Sequence, residues 1–273
     1  MGKTQGKVEV INNFYMPELD RYRTLRIYLP PNYDESDTRY PVLYMHDAQN
    51  LFHKETSTFG EIWDVKNALD EIYEKYKVSI IVVGIDNGES FRYAEYSPWN
   101  SKIGGEYLPH AKATGNLGGD GFEYLEFLVN TLKPYIDSNY KTLKGRENTG
   151  ICGSSMGGLI SICGGIKYQD IFSKIAAFSS AIYFCEEKFM KFLEDTGKNK
   201  NMKIYLDVGT DETSDKENKD FPKIYMDCNE RTRDKLKEIG FDKELYYLLD
   251  EGGRHSEVSW RKRFPKMIEF LFC

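Results

Sequence analysis

Residues 149–160 read Thr-Gly-Ile-Cys-Gly-Ser-Ser-Met-Gly-Gly-Leu-Ile, a short apolar strand pattern followed by two serines and the start of a helical pattern at Met156. The pattern Gly-x-Ser-x-Gly is met only by Ser155, because the register on Ser154 would need glycine at positions 152 and 156. This pattern between a strand and a helix is typical of a sharp turn that exposes a serine hydroxyl at the edge of a sheet. We therefore predict that Ser155 is a nucleophile. The alternative is a Gly-rich helix start with an N-capping serine.

Strand and helix patterns alternate on both sides of this stretch. The predicted strands are residues 8–14, 25–29, 42–45, 79–83, 149–152, 175–178, 203–208 and 245–249, and the predicted helices are residues 62–76, 122–136, a helix from 156, 231–239 and 258–271. This alternation predicts an α/β fold with a mostly parallel central sheet and helices on both faces. No repeat, low-complexity tract or linker divides the chain, so we expect one domain over residues 1–273.

One long segment, residues 86–119, interrupts the alternation and is rich in glycine and aromatic residues. In an open α/β sheet, a loop after the carboxyl end of a strand faces the ligand crevice. Tyr96 and Trp99 lie in this segment, and Tyr183 follows the sixth predicted strand. Aromatic rings can stack on aryl or sugar faces, so we predict that these three side chains bind substrate. The alternative is that they pack the loops onto the core.

A serine hydroxyl needs a base to take its proton. His255 is the one histidine after Ser155, and it lies in the Gly-rich loop that follows the last predicted strand. A loop at the sheet edge can bring the imidazole over the nucleophile, so we predict His255 as the base. Asp211 and Glu212 follow the strand at residues 203–208, and one of them is expected to accept a hydrogen bond from His255 Nδ1.

An oxyanion needs two backbone N–H donors near the nucleophile. One is expected from Met156, the residue after the serine, and the other from the loop after the third strand, residues 46–50. Ala48 is best placed in that loop, with Gln49 as the alternative. His46 precedes the serine in the chain, so we expect it to brace this loop rather than to act as the base.

The charge balance argues against two classes of partner. The chain has 37 basic and 43 acidic residues, a net charge of −6, and no long Lys/Arg block. We therefore expect neither nucleic acid nor an anionic membrane surface as a partner. The first ten residues hold no apolar signal core and no stretch approaches the ~18 apolar residues that a membrane helix needs, so we expect a cytoplasmic protein.

Cysteine and histidine spacing gives no sign of a metal or a disulfide framework. The five cysteines are odd in number and include no Cys-x-x-Cys pair, and the four histidines include no His-Glu-x-x-His pattern. We expect no metal and no cofactor.

Several stretches together resemble the putative-esterase family of α/β hydrolases, which includes enterochelin-esterase-like proteins, feruloyl and acetylxylan esterases, S-formylglutathione hydrolases and mycolyltransferases. They lie in the order of the family and span most of residues 20–262. The matching stretches are RTLRIYLPPNY (23–33), YPVLYMHDAQNLF (40–52), VVGIDNG (82–88), EYSPW (95–99), LKPYIDSNYKT (132–142), GICGSSMGGLIS (150–161), IYLDVGTDE (204–212) and GGRHSEVSW (252–260).

The resemblance implies an α/β-hydrolase fold and serine-dependent ester hydrolysis without a cofactor. It implies Ser155 as nucleophile, His255 as base, an acid from residues 209–212, and Met156 and Ala48 as oxyanion donors. For the acid we favour Glu212 over Asp211, because the acid of this fold commonly stands three residues beyond the position that Gly209 occupies. Family members often carry glycine where this chain has Asp47.

We therefore expect a serine carboxylic-ester hydrolase that acts through an acyl-enzyme on a small, aryl or carbohydrate-linked ester. The alternatives are an acyltransferase of the same fold, because an alcohol can replace water at the acyl-enzyme, and a non-catalytic binding protein that kept the fold. The sequence leaves open the acyl group, the alcohol and the oligomeric state.

Overall fold

One eight-stranded sheet carries the fold of the computed structural model, which describes residues 5–101, 117–213 and 218–273. The strand order is β1-β2-β4-β3-β5-β6-β7-β8. The strands are β1 Lys7–Met16, β2 Arg21–Leu29, β3 Val42–His46, β4 Ile81–Ile85, β5 Thr149–Ser154, β6 Lys174–Phe178, β7 Lys203–Asp211 and β8 Leu245–Arg254. β1 and β2 form an antiparallel hairpin and β2 runs antiparallel to β4, whereas β3 to β8 are parallel to one another. The predicted mostly parallel sheet is confirmed.

Helices pack on both faces of this sheet. They are α1 Val65–Tyr76, α2 Arg92–Glu95, α3 Gly121–Glu126, α4 Lys133–Asn139, α5 Met156–Lys167, α6 Glu186–Thr196, α7 Phe221–Leu236 and α8 Glu257–Phe272. Side chains of α1 and α8 join one hydrophobic cluster, and those of α3 to α7 join the other. π-Helical turns continue α3 through Phe127–Leu132 and α7 through Lys237–Phe241. None of the helices in the described ranges is long and apolar enough to cross a bilayer.

The sequence did not predict α6. Its buried residues are Phe189 and Leu193, which stand four positions apart on one face of the helix. Met190 and Phe192, between them, are partly buried and pack against the same core. The apolar residues of α6 therefore cluster within positions 189–193 and do not recur along the helix, so they give no extended helical period in the sequence.

The segment predicted as a long loop contains short helical elements. A 3-10 turn at Glu89–Phe91 leads directly into α2, and the Ser101 N–H donates to the Leu117 carbonyl at 2.7 Å. Residues 102–116 of this segment lie outside the described ranges.

β5 and α5 form the buried centre of the molecule. Every residue of β5 is buried, and Lys167 alone in α5 is not. β5 lies between β3 and β6 in the sheet, so neighbouring strands and the helices on both faces enclose it. The turn that joins β5 to α5 is therefore fixed at the carboxyl edge of the sheet, where the loops after the other parallel strands also lie.

Candidate active site

Ser155 occupies the turn between β5 and α5 in a strained conformation. Its φ of 57° and ψ of −122° lie in a region that non-glycine residues rarely adopt, at a cost of about 1–3 kcal/mol. Its N–H donates to the Phe178 carbonyl at 2.9 Å, and its carbonyl accepts from the N–H groups of Gly158, Leu159 and Ala181 at 3.0–3.1 Å. These bonds connect the turn to α5 and to the end of β6, and together they hold it in the strained conformation.

The glycines on either side of Ser155 allow close packing of the turn. A Cβ on Gly153 would lie 2.6 Å from the Gly157 backbone, too close for any side chain. A Cβ on Gly157 would lie 3.3 Å from His46 Cβ and 3.4 Å from Asp47 Oδ2. The loop after β3 therefore packs directly against the first turn of α5.

Asp47 shapes that loop. It adopts a left-handed conformation, with φ 56° and ψ 44°, which aspartate tolerates better than most residues and which explains how it replaces a glycine. Its N–H donates to Tyr96 Oη at 3.2 Å. Its carboxylate accepts two hydrogen bonds from Arg92 and one from Asn87, each at 2.7 Å. Burial alone would raise the pKa of Asp47, but Arg92 outweighs burial and lowers it, so the loop is held by a buried ion pair.

The two predicted oxyanion donors both stand at helix starts. Met156 is the first residue of α5, and Ala48 is the first residue of the 3-10 turn Ala48–Asn50. Backbone N–H groups at these positions have no acceptor within their own helix and are available to an anion. Gln49 is the alternative donor. Its side chain contacts the loop after β4, since Gln49 Oε1 accepts a hydrogen bond from the Asn87 N–H at 3.1 Å.

Glu212 is the carboxylate that reaches His255. His255 Nδ1 lies 2.7 Å from Glu212 Oε2, and the Glu212 side chain is completely buried. Asp211, one residue earlier, ends β7 with an exposed side chain. Glu212 is the first residue after β7, and its carboxylate turns inward to partners at Ser179, Gly209 and His255.

The surroundings of Glu212 keep it ionised. Its Oε1 accepts hydrogen bonds from Ser179 Oγ at 2.5 Å and from the Gly209 N–H at 2.8 Å. Burial raises the pKa of Glu212, but the hydrogen bonds from His255 and Ser179 and the charge of Arg263 outweigh burial and lower it. An ionised carboxylate can only accept a hydrogen bond, so His255 Nδ1 carries the proton of the bond to Glu212. In the neutral imidazole Nε2 is then unprotonated, and its lone pair can accept a proton.

His255 Nε2 faces a pair of tyrosines. Tyr225 Oη lies 3.5 Å from Nε2, and Tyr183 Oη lies 3.3 Å from Tyr225 Oη. Within the described ranges Ser155 Oγ forms no hydrogen bond, and the bond between nucleophile and base commonly tightens only when substrate is present. Ser155 and His255 are nevertheless both connected to residues 178–181. Ser155 forms backbone hydrogen bonds with Phe178 and Ala181, and Ser179 donates to Glu212, the carboxylate that contacts His255.

The three aromatic residues predicted to bind substrate occupy different settings. Tyr96 is fully buried, and its hydroxyl supports the Asp47 loop. Trp99 is partly buried and packs against Phe122 and Phe192, with ring centroids 5.8 and 5.6 Å away. Tyr183 is 4% exposed and is the one of the three that belongs to the tyrosine pair beside His255.

Four residues of the site were not predicted: Ser179, Tyr225, Trp260 and Arg263. Ser179 accepts hydrogen bonds from Trp260 Nε1 and Arg263 Nη2 at 2.9 and 3.0 Å. Arg263 lies on the buried face of α8 between Trp260 and Phe264. A charged residue on an otherwise apolar helical stripe was the signal that would have pointed to it.

His46 is buried at the carboxyl end of β3, where it contacts Tyr124. It is 2% exposed, its Nδ1 lies 2.9 Å from Tyr124 Oη, and its Nε2 has no partner among the described residues. Burial lowers the pKa of His46 from 6.5 to about 4, so it is neutral near pH 7. In the described ranges no group of three or more His, Cys, Asp or Glu side chains is arranged to hold a metal ion.

The buried imidazole of His46 makes stability depend on pH. The unfolded chain takes up a proton here near pH 6.5 and the folded chain only near pH 4, so stability falls as the pH drops through this window. Between pH 7 and pH 4.5 we expect wild type to lose about 2–3 kcal/mol more unfolding free energy than His46→Gln, which keeps a polar side chain but does not titrate. Urea unfolding of both proteins at the two pH values measures this difference. Parallel losses would show that His46 is not the source.

Comparison with known proteins gives the family and the fold of the chain. The family model described as Putative esterase matches residues 16–271. The uncharacterized protein YbbA of Bacillus subtilis is 24% identical over 252 residues, covering 92% of each chain. An endo-1,4-β-xylanase/feruloyl esterase of Xylanibacter ruminicola is 24% identical over 95% of this chain, which spans 30% of that longer protein.

A solved ferulic acid esterase superposes with a TM-score of 0.73 at 18% identity, covering 98% of both chains. At that identity the likeness shows the fold, which is the α/β-hydrolase fold. Because the family model covers nearly the whole sequence, the chain belongs to the Putative esterase family.

Proposed function

We propose that the protein is a serine carboxylic-ester hydrolase that works through an acyl-enzyme on Ser155. The observation that carries this proposal is the 2.7 Å contact between His255 Nδ1 and the buried carboxylate of Glu212, beside a serine on a strained strand-to-helix turn. Such a carboxylate holds the imidazole in the tautomer that accepts a proton at Nε2. The family of the chain agrees with ester hydrolysis.

In the proposed reaction His255 Nε2 takes the proton of Ser155 Oγ as the oxygen attacks the ester carbonyl carbon. The carbonyl electron pair moves onto oxygen, and the N–H groups of Met156 and Ala48 stabilise the resulting oxyanion. The intermediate collapses, the C–O bond to the alcohol breaks, and the alcohol leaves with the proton from His255. Water then repeats the sequence on the acyl-enzyme and releases the acid, so each step is served by groups of this chain and by water.

For the substrate we propose a small, aryl or carbohydrate-linked ester. The tyrosine pair beside His255 makes the surroundings of the proposed base aromatic, but its rings are only 0% and 4% exposed, so the substrate class rests mainly on the similar proteins. Two proteins similar to this chain are named as a ferulic acid esterase and an endo-1,4-β-xylanase/feruloyl esterase, which agrees with the proposal. A cytoplasmic location stays a prediction from the sequence.

Replacing the nucleophile tests the proposal most directly. Ser155→Ala should lower kcat on an activated ester by about 10⁴- to 10⁶-fold, because no acyl-enzyme can form. Ser154→Ala is the matched control and should keep most of the activity. A fluorophosphonate probe should label wild type and Ser154→Ala but not Ser155→Ala. A wild-type protein that neither hydrolyses esters nor reacts with the probe would instead favour a non-catalytic binding protein.

The two adjacent carboxylates provide a second test. Glu212→Gln should lower kcat by up to about 10⁴-fold, because an amide favours the wrong imidazole tautomer. Asp211→Asn, which changes an exposed side chain, should cost less than about threefold, as surface changes usually do. Both variants are compared on one activated ester at pH 8, with circular dichroism to verify folding. A large loss in Asp211→Asn alone would reassign the acid.

Substrate preference is tested with p-nitrophenyl esters of increasing chain length beside methyl ferulate and acetylated sugars. We expect short acyl and aryl or sugar esters to react faster than esters of twelve or more carbons. Trp99→Ala should raise KM more than it lowers kcat, because a lost ring contact weakens binding of substrate and transition state alike. Tyr76→Ala, on α1, is the matched control, and efficient hydrolysis of long acyl chains would argue against the proposal.

A further inference from the structure

A cluster of buried polar side chains lies behind Glu212, on the side away from His255. We propose that Ser179, held by Trp260 and Arg263, is a positioning residue that keeps Glu212 ionised and thereby fixes the imidazole proton on Nδ1. The kinetic part of this inference rests on the proposed function. Its spectroscopic part concerns the resting protein alone.

The hydrogen bonds of Ser179 leave one direction for its proton. A serine hydroxyl has one proton to donate and two lone pairs to accept with. Trp260 Nε1 and Arg263 Nη2 lie 2.9 and 3.0 Å from Ser179 Oγ, and both are donors that cannot accept, so they occupy both lone pairs. The remaining neighbour is Glu212 Oε1 at 2.5 Å, and the hydroxyl proton must point to it.

The backbone of Ser179 also fixes its position. Its φ is 45°, a left-handed conformation that costs free energy in a residue other than glycine. Its N–H lies 2.9 Å from the Asp207 carbonyl oxygen and 3.2 Å from Asp207 Oδ1. The hydroxyl is thus directed by bonds from β7 and α8 at once.

Arg263 is the cation of the cluster. It is 4% exposed, and its guanidinium lies 3.5 Å from Asp207, 3.7 Å from Glu212 and 3.6 Å from Asp250. Burial raises the pKa of Asp207 to about 7, with Arg263 opposing and Glu212 adding to that rise. One guanidinium therefore offsets the charge of neighbouring buried carboxylates, and its loss would leave Glu212 more basic.

Several groups act on His255 from different elements. Glu212 faces Nδ1, Tyr225 of α7 faces Nε2, and Glu257 and Trp260 approach from α8. Arg263 contacts Glu212, Asp207 and Asp250 but not the imidazole. Ser179 connects to His255 through the Glu212 carboxylate and through Trp260, which donates to Ser179 Oγ and lies edge-on to the imidazole ring.

The kinetic test compares pH profiles of kcat/KM. Ser179→Ala and Ser179→Gly should each lower kcat/KM by about 10- to 100-fold, the usual worth of a hydrogen bond to a charged group. Without that donor the Glu212 carboxylate is more basic and stabilises the protonated imidazole. Because protonated imidazole cannot act as the base, the fall of kcat/KM on the acidic side of the profile should begin at higher pH. Arg263→Gln should move the limb further in the same direction, and Arg263→Lys, which restores the charge, should fall between it and wild type.

Ser180→Ala is the matched control, since Ser180 is adjacent and fully buried but its hydroxyl has no partner among the described residues. It should leave the profile unchanged. Ser179→Gly separates strain from hydrogen bonding, because glycine accepts the positive φ but lacks the hydroxyl. Should Arg263→Gln fail to fold, the Ser179 variants and Arg263→Lys decide the outcome.

The spectroscopic test records the low-field Nδ1–H proton resonance of His255 by NMR, without substrate. Wild type and Ser180→Ala should share this resonance, and Ser179→Ala and Ser179→Gly should shift or lose it. Unchanged resonance and pH limb in both Ser179 variants would overturn the inference, even if activity fell. A wild type without esterase activity would reject the proposed function, while the resonance comparison would still judge this inference.

Discussion

The conformation of Ser155 is the constraint on which the site depends. A residue at φ 57° and ψ −122° is stable only when its surroundings fix it, and here a bond from β6, two bonds from α5 and one from the segment after β6 do so. The same turn requires glycine at position 153, and at Gly157 the loop after β3 packs so closely that an added Cβ would be tight against His46 and Asp47. The proposed nucleophile and the loop of the proposed oxyanion donor therefore share one packing arrangement.

The buried charges form a second level of organisation. One ion pair, Asp47 with Arg92, fixes the loop after β3, and the group around Arg263 lies behind Glu212. Buried charges are costly unless they are paired and hydrogen bonded, and they contribute little to net stability even then. In the proposed mechanism their benefit is orientation. The Asp47–Arg92 pair holds the loop that carries the Ala48 N–H, and Arg263 lies beside the carboxylate that contacts His255 Nδ1.

The fold and the proposed substrate specificity lie in different parts of the molecule. A ferulic acid esterase shares the architecture over 98% of both chains at 18% identity, so the fold is kept although most residues differ. The proposed reacting groups lie on loops after the parallel strands, and such loops can change while the scaffold stays the same. In this chain the tyrosine pair beside His255 comes from the segment after β6 and from α7. Specificity is therefore expected to follow those two segments more than the sheet.

The sequence by itself determined the alternation of strands and helices, the mostly parallel sheet and the serine turn, because these follow from periodicity and from local steric needs of glycine. It also indicated His255 as the base, because no other histidine follows Ser155, and it limited the candidates for the acid to Asp211 and Glu212. Tertiary structure decided which of them turns inward, since the direction of Glu212 depends on donors from Ser179, Gly209 and His255. Arg263 left a signal in the sequence, as a charged residue on a largely apolar helical stripe, but its partners did not. Ser179 stands 84 positions earlier in the chain, and a contact over that separation leaves no local pattern.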